Sequence, residues 1–303
     1  MRVLVTGWPS FVHGEATAGD VLAMEAVREA LAGEGIACET AWSPVFRPDG
    51  LSLDRADPER YTHLVFACGP LHGDQVVSLH RRFARCQRVA VGVSVIDPDD
   101  PAVTGFHAVL PRDAPGAPPR RDLSAAPAQT GPEPDVVGVV LAPGQGEYGA
   151  RGRHARIEDQ LTSWLRTRGC ARVPLDTRLD PRDWRHPAGP EELEAVIRRL
   201  DLVVTTRLHG LVLALRNGVP ALAVDPVGGG AKVTAQARAW DWPAIITTGA
   251  ADAPPYLDPA ELIRHWEWCL SPEGAAWAAR AFPLPELVRG LREIVGNGSL
   301  AAR

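Results

Sequence analysis

Short apolar runs alternate with amphipathic stretches over the first third of the chain. The apolar runs predict strands and the amphipathic stretches predict helices. For example, Leu22, Val27 and Leu31 share one helical face, with Asp20 as the expected N-cap. Strands are predicted at 2–6, 36–40, 62–68 and 88–96, and helices at 21–33 and 74–86. Because these strands are apolar without polar alternation, they are typical of a parallel sheet covered by helices.

Residues 111–135 interrupt this pattern. They include seven prolines and few apolar side chains, which is typical of an extended, semi-rigid linker. The alternation of strands and helices then restarts. Strands are predicted at 135–142, 171–175, 202–206, 220–225 and 244–247, and helices at 153–168, 190–200, 208–217, 231–240 and 258–296.

Two such repeats predict an α/β fold with two Rossmann-like domains facing a cleft. We place the domains at 1–110 and 136–257, joined by the linker at 111–135. The final segment, 258–303, is expected to be helical and to pack back on the cleft or on the N-terminal domain. In sheets of this kind, ligands bind beyond the carboxyl ends of the strands.

Composition and charge narrow the function classes. The chain has 303 residues, with 32 basic and 37 acidic side chains and a net charge of −5. It therefore lacks the basic surface of a general nucleic-acid binder, and any anion site must be local. Its five cysteines include no CxxC pair, which argues against disulfides or a metal site and favours a reducing, cytoplasmic setting. No apolar run reaches the roughly 18 residues of a transmembrane helix.

The strongest candidate site begins with two polar residues in an otherwise apolar strand–helix unit. Arg207 and His209 follow the predicted strand at 202–206 and open a helix, where unpaired N–H groups and the helix dipole favour an anion. Arg207 offers a planar fork for a carboxylate or a phosphate. His209 can donate or accept a proton near neutral pH.

Small residues surround this turn. Thr205 or Thr206 can cap the helix, and Gly210 permits the close approach of another backbone or of a ligand. After the next strand, a glycine run that includes Gly229 and Gly230 is expected to present further N–H groups. Lys232, the only lysine in the chain, brings a point charge to the same rim. Together these residues predict a pocket for a small, multiply charged anion.

These residues resemble the C-terminal motifs of the polysaccharide pyruvyltransferase family. The resemblance rests on Thr206-Arg-Leu-His-Gly-Leu211, on Gly218-Val-Pro220, and on Asp225-Pro226 with Lys232, although Val227, three glycines and an alanine intervene before the lysine. The N-terminal half is similar at Thr17-Ala-Gly-Asp20, where the family has Asn in place of Thr. Further similarity lies in the turn Cys68–Asp74 and in the pair Arg112-Asp113.

The resemblance implies the glycosyltransferase B architecture and an enzyme that transfers pyruvate from phosphoenolpyruvate to sugar hydroxyls, often as a cyclic ketal. The N-terminal domain would bind the acceptor, a sugar or glycan, and the C-terminal domain the donor. Phosphoenolpyruvate would be a substrate, with no cofactor and no metal. A homo-oligomer is compatible with the sequence.

Each candidate residue then receives an expected role. His209, protonated, would deliver a proton to the methylene carbon of the donor, and Asp20 would be a base or would bind the acceptor. The expected substrate-binding residues are Arg207, Lys232, Gly210, Thr206, Gly229, Gly230, Trp8 and Gly19. Of these, Trp8 would stack on a sugar ring.

Two other functions stay open. One is a glycosyltransferase of the same architecture with a nucleotide-sugar donor, and the other is a non-catalytic protein that binds an anion or a sugar, since the N-terminal motifs are altered. The run Gly144-Gln-Gly-Glu-Tyr-Gly149 has the G-x-G-x-x-G spacing, but it lacks the acidic residue about 20 positions later that a dinucleotide site needs. Arg151 and Arg153 in this loop are candidates for contact with an acidic substrate.

Overall fold

The protein is described from a computed structural model, which covers residues 1–127, 131–144, 146–249, 256–281 and 286–298. The chain divides into two compact units, Met1–Thr130 and Gly131–Arg303. Each unit is built on one five-stranded parallel sheet with helices between the strands. This confirms the predicted class, an α/β chain with two Rossmann-like sheets, whereas the cleft expected between them stays a prediction.

Unit 1 has its strands in the order β2-β1-β3-β4-β5. The strands are β1 (Arg2–Thr6), β2 (Ala37–Thr40), β3 (His63–Ala67), β4 (Gln87–Ser94) and β5 (Ala108–Asp113), and the helices are α1 (Ala18–Gly33), α2 (Gly73–Arg82) and α3 (Pro101–Thr104). Leu4, Leu64 and Phe66 are completely buried in the sheet, and Met24 of α1 covers it. Leu4, Leu64 and Phe66 lie in predicted strands, whereas the predicted apolar face of α1 is correct only in part, because Val27 is buried but Leu22 is 48% exposed.

The predicted boundary at 110 and the linker at 111–135 are wrong in part. Pro111 lies inside β5, which pairs with β4 at the edge of the sheet. An edge strand tolerates proline because one side of its backbone has no partner strand. Further on, Leu123 packs so closely over β4 that a Cβ on Gly92 would lie 2.5 Å from it, and glycine there has a φ of +66°. The proline-rich stretch therefore belongs to unit 1 up to about this point, because a few apolar residues anchor it.

Helix α1 also starts differently from the prediction. Its N-cap is Thr17, whose hydroxyl accepts from the backbone N–H of Asp20 at 3.2 Å and donates to the Asp20 carboxylate at 2.7 Å. Asp20 is thus the third helical residue, and its carboxylate holds the Thr17 hydroxyl that caps its own backbone N–H.

Unit 2 repeats the architecture, with the strand order β10-β9-β8-β6-β7. Its strands are β6 (Val136–Val140), β7 (Ala171–Pro174), β8 (Leu202–Thr205), β9 (Ala221–Asp225) and β10 (Ile245–Thr247). Its helices are α4 (His154–Leu165), α5 (Pro190–Ile197), α6 (Leu208–Arg216), α7 (Lys232–Ala239), α8 (Pro259–Cys269), α9 (Pro272–Ala278) and α10 (Glu286–Gly298). Every residue of β8 and β9 is buried, as expected for central strands covered on both faces.

The C-terminal helices correct another expectation. Trp266 of α8 meets Trp164 of α4 edge to face at 5.4 Å, and Trp242 meets Trp268 at 5.1 Å. Leu262 and Ala278 are buried in the same core. Helices α8 and α9 therefore complete the core of unit 2, where their tryptophans are packing residues. Within the described residues, every helix is too short or too polar to span a bilayer.

Candidate functional site

In the parallel sheet of unit 2, the order in which strands are added reverses between β6 and β8. From β6 the chain moves outward to β7, and it then returns past β6 to build β8, β9 and β10 on the other side. In sheets with this order, ligands bind beyond the carboxyl ends of the two strands where the direction reverses. The turns that follow β6 and β8 therefore frame the candidate site.

Arg207 lies at this point, between β8 and α6. It is the N-cap residue of α6, and its backbone N–H donates to the Thr205 hydroxyl at 2.9 Å. Its guanidinium Nη1 donates to Oδ1 of Asp176 at 2.7 Å, and the two side chains are only 24% and 30% exposed. This is the only hydrogen bond of the guanidinium within the described residues, so its other N–H groups remain available to an anion.

Asp176 is a site residue that the sequence analysis missed. It follows β7, so it reaches Arg207 across the end of β6. Burial raises the pKa of the Asp176 carboxyl, but hydrogen bonds from Arg178 and the charge of Arg207 outweigh this and lower it. The carboxylate is therefore ionised at neutral pH and fixes the orientation of the guanidinium. No local pattern marks it, because it stands in a polar stretch rich in arginine and aspartate.

The two threonines of this turn hold the end of β8 to the end of β6. The Thr205 hydroxyl donates to the carbonyl of Val140 at 2.8 Å, and the Thr206 hydroxyl accepts from the N–H of Ala142 at 2.8 Å. Neither threonine caps α6, which corrects that expectation. A Cβ on Gly210 would lie 2.2 Å from Oγ1 of Thr205, so glycine is needed here for helix α6 to pack on the strand.

His209 is exposed on the first turn of α6. Arg207 precedes it by two residues, at the start of the same helix. The described contacts leave its imidazole without a hydrogen-bond partner, which is compatible with a role in proton transfer. That role stays a prediction.

Asp225 organises the loop between β9 and α7. Its completely buried carboxylate accepts from the backbone N–H groups of Val227 at 3.1 Å, Ala231 at 2.7 Å and Thr234 at 2.9 Å, and from the Thr234 hydroxyl at 2.8 Å. The aspartate of the Asp225-Pro226 motif thus shapes the loop and the start of α7.

The glycine run in this loop does not offer free N–H groups, contrary to our expectation. The N–H of Gly229 donates to the carbonyl of Thr248 at 3.0 Å, and that of Gly230 donates to the carbonyl of Val227 at 2.8 Å. Both glycines have positive φ angles, 78° and 81°, which the tight turn requires. Their assignment as substrate-binding residues stays a prediction without support from open donors.

Lys232 is the first residue of α7, and its neighbours come from the loop after β6. Its Nζ lies 5.8 Å from the ring centroid of Tyr148. Burial, helped by the positive charge of Lys232, lowers the pKa of His154. Within the described residues, no hydrogen bond or ring contact joins Lys232 to Arg207 or His209. The three predicted residues thus share one edge of the sheet, but Arg207 and Lys232 have different partners.

The candidate residues in unit 1 lie at the corresponding edge of its own sheet. Trp8 follows β1, and its indole N–H donates to the carbonyl of Pro70 at 3.1 Å while its ring lies 5.5 Å from that of His72. Gly19 and Asp20 lie in the first turn of α1. Trp8 is half-buried and packs over the turn after β3, and its predicted stacking on a sugar stays a prediction.

Cys68, directly after β3, is a buried thiol with an unusual backbone conformation. Its φ is +65°, a region that residues other than glycine rarely adopt. Burial, together with the Asp122 carboxylate, raises the pKa of Cys68 to about 11, so the thiol is protonated.

Nearby, Arg112 bonds to Asp113 at 2.8 Å and to Asp122. The Arg112-Asp113 pair therefore forms an ionic cluster at this edge.

The sequence from the end of α4 to the loop after β9 also matches a known family. Residues 164–226 match the family model for polysaccharide pyruvyl transferases. This confirms the resemblance seen in the sequence motifs. The matched segment contains Asp176, Arg207, His209 and Asp225, and it ends before Lys232. The match supports a transferase that modifies glycans.

Comparisons of the whole chain with curated proteins and solved structures give no evidence about its chemistry. No curated protein matches the chain. Among solved structures, the spinosyn rhamnosyltransferase SpnG has 16% identity and a TM-score of 0.34, with 96% of this chain and 100% of that chain covered. The E. coli heptosyltransferase WaaC with ADP has 12% identity and a TM-score of 0.29, covering 88% of this chain and 99% of that chain. UDP-GlcNAc 2-epimerase from Methanocaldococcus jannaschii has 11% identity and a TM-score of 0.31, covering 89% and 93%. Likenesses this low support no argument about chemistry.

Proposed function

We propose that the protein transfers the pyruvyl group of phosphoenolpyruvate to hydroxyl groups of a sugar in a glycan or a glycan precursor. The observation that supports this most strongly is the position of Arg207. Its guanidinium is held by Asp176 at the point where the sheet of unit 2 changes direction, inside the segment that matches the pyruvyl transferase family.

The donor has two anionic groups, a carboxylate and a phosphate. Arg207 would bind one of them through the guanidinium N–H groups that Asp176 does not use, assisted by the first N–H groups of α6. Lys232, at the start of the neighbouring helix α7, would bind the other. Thr206 and Gly210 contribute indirectly to the position of Arg207: Thr206 joins the end of β8 to the turn after β6, and Gly210 lets α6 pack closely on β8.

The proposed chemistry begins with proton delivery. His209, in its protonated form, donates to the methylene carbon of phosphoenolpyruvate, which leaves a cation at the central carbon. A sugar hydroxyl attacks this carbon, the bond to the phosphate oxygen breaks, and a second hydroxyl closes the ketal. Of the two hydroxyl protons, one replaces the proton that His209 gave up and the other leaves with phosphate. General acid catalysis of this kind contributes roughly 10²–10⁴ in rate. Gly19 and Trp8 remain predicted to bind the acceptor sugar, and Asp20 remains predicted to bind it or to act as a base.

The first test is donor binding measured by thermal shift with phosphoenolpyruvate, inorganic phosphate and UDP. A ligand at 100 times its dissociation constant adds about 2.7 kcal/mol of stability. We expect phosphoenolpyruvate to stabilise the protein and Arg207→Ala to reduce the effect. The matched control is Arg216→Ala, at the exposed far end of the same helix. Stabilisation by UDP alone would contradict the proposal in favour of a nucleotide-sugar donor.

The second test separates chemistry from binding. His209→Ala should keep the phosphoenolpyruvate shift but lose acceptor-dependent phosphate release, measured with a panel of simple methyl glycosides and checked by mass spectrometry for the added pyruvyl group. Phosphate release by His209→Ala at the normal rate would remove His209 from the mechanism.

A further inference from the structure

A cavity of about 530 Å³ lies at the loop between β6 and α4, beside the point where the sheet of unit 2 changes direction. Its walls are glycines of this loop, including Gly149 and Gly152, and the first turn of α4 with Arg153, His154 and Arg156. Small-molecule sites are typically about 300–1,000 Å³ in volume. The cavity therefore has the size of a ligand site, and the glycine walls expose backbone rather than side chains.

The electrostatics of this cavity favour an anion. Helix α4 spans twelve residues, and its first turn has no acidic residue and no side-chain cap. The N–H groups of His154, Ala155 and Arg156 have no acceptor among the described residues, so the positive end of the helix dipole faces the cavity uncompensated. Arg153 and Arg156 add two guanidinium groups to the wall.

His154 provides an independent indication of a ligand. Its side chain lines the cavity and is 94% buried, yet no hydrogen bond to its ring occurs within the described residues. Its Nδ1 lies 3.6 Å from the place of a Cβ on Gly152, a neighbouring wall residue, and its ring lies 6.5 Å from that of Tyr148. The ring nitrogens of His154 are not among the enclosed polar atoms without a partner, so they open towards the cavity, where a ligand or water can supply the missing bond.

Three charged side chains, those of Lys232, Asp225 and Glu147, act on the imidazole of His154. Lys232 lies close enough for its charge to act on the imidazole, and the two carboxylates that act on it are Asp225 and Glu147. Asp225 is occupied, because its oxygens accept four hydrogen bonds from the loop before α7. Glu147 is exposed to solvent. Among the described residues, the charged groups at the cavity are therefore mostly positive.

We propose that this cavity is a phosphoryl-binding site, in which His154, Arg156 and the N–H groups at the start of α4 bind the phosphoryl oxygens of a ligand. Arg207 does not line this cavity, and inorganic phosphate tests the site without any pyruvyl transfer. The phosphoryl group has two possible sources, the phosphate of a small donor such as phosphoenolpyruvate or the diphosphate of a sugar carrier.

The experiment is isothermal titration calorimetry on the whole chain with inorganic phosphate, phosphoenolpyruvate and UDP. Two variants remove contacts, His154→Gln and Arg156→Ala. The second changes an exposed side chain and therefore leaves folding intact. The matched control is Arg166→Ala, at the other end of α4. We expect inorganic phosphate to bind roughly tenfold more weakly to each of the first two variants and normally to the control.

The probes distinguish the source of the phosphoryl group. If phosphoenolpyruvate loses affinity in the same variants and competes with phosphate, the site holds the donor phosphate. If UDP binds more tightly than phosphate and loses affinity in these variants, the site holds a diphosphate. Both results support the proposal. Equal phosphate affinity in the wild type, His154→Gln and Arg156→Ala would overturn it, as would a lack of binding by all three probes. Arg207→Ala should leave phosphate binding here unchanged, so this proposal and the proposed function can fail separately.

Discussion

Replacing Gly210 by alanine places a methyl group where the structure has no room. The new Cβ would lie 2.2 Å from Oγ1 and 2.9 Å from Cβ of Thr205, and 3.1 Å from Cγ1 of Val140. Thr205 cannot turn aside without loss, because its single hydroxyl proton is shared between the carbonyls of Val140 and Arg207, and its oxygen accepts from the Arg207 N–H. Helix α6 must therefore move away from β8, or these bonds must break.

The net cost follows from three contributions. Overpacking a well-filled site costs about 1–3 kcal/mol, and a disturbed hydrogen bond adds about 1 kcal/mol. The better helix propensity of alanine returns about 1 kcal/mol. We therefore expect Gly210→Ala to lower the free energy of unfolding by about 2 kcal/mol, which corresponds to a drop in melting temperature of roughly 4–8 °C for a unit of this size.

Urea unfolding of unit 2, followed by tryptophan fluorescence, measures this change. The matched control is Gly290→Ala, also in a helix of unit 2, where a Cβ meets nothing within 4 Å and stability should not fall. The double variant with Thr205→Ala should be less destabilised than the sum of the single variants, because the closest clash is gone. Normal stability of Gly210→Ala combined with weaker phosphoenolpyruvate binding would refute this reasoning and assign Gly210 to the ligand.

Two further predictions concern charged groups. Asp176→Asn should weaken phosphoenolpyruvate binding about 5–10-fold, because Arg207 loses the charge that orients it. Asp180→Asn, which removes a carboxylate paired with Arg182 in the same loop, should not weaken it. Equal titration curves for the wild type and Asp176→Asn would exclude a positioning role. Burial and the charge of Lys232 lower the pKa of His154 in the folded protein. The unfolded state therefore binds more protons than the folded state below about pH 6.5, and stability is lost as the pH falls from there towards the folded pKa. Urea unfolding at pH 7.5 and 5.5 should show a smaller loss for His154→Gln than for the wild type, while His265→Gln tests the same effect away from the cavity. An identical loss in the wild type and His154→Gln would contradict the lowered pKa.

The repeating pattern of apolar positions was enough to predict nine of the ten described strands and most of the helices, but it missed β5 (Ala108–Asp113), which runs into the proline-rich stretch. The predicted strand at 202–206 is β8 (Leu202–Thr205), and the predicted helix at 208–217 is α6 (Leu208–Arg216). Both predictions succeed because strand and helix periodicity depends on near neighbours in the chain. The same pattern places Arg207 at a strand end, since a residue between an apolar strand and an apolar helix has no other place in a parallel sheet.

Which residues meet at that edge was decided only by the tertiary structure. Asp176 binds Arg207 from a position 31 residues away, and Lys232 lies beside Tyr148 instead of beside Arg207. Strand order and loop paths set these neighbours, and neither is written in local spacing. The glycine run shows the same limit, because its N–H groups find acceptors inside the folded loop, where composition alone predicts open donors. The sequence determines which side chains reach the edge of the sheet, and the packing of the loops determines which of them stay free for a ligand.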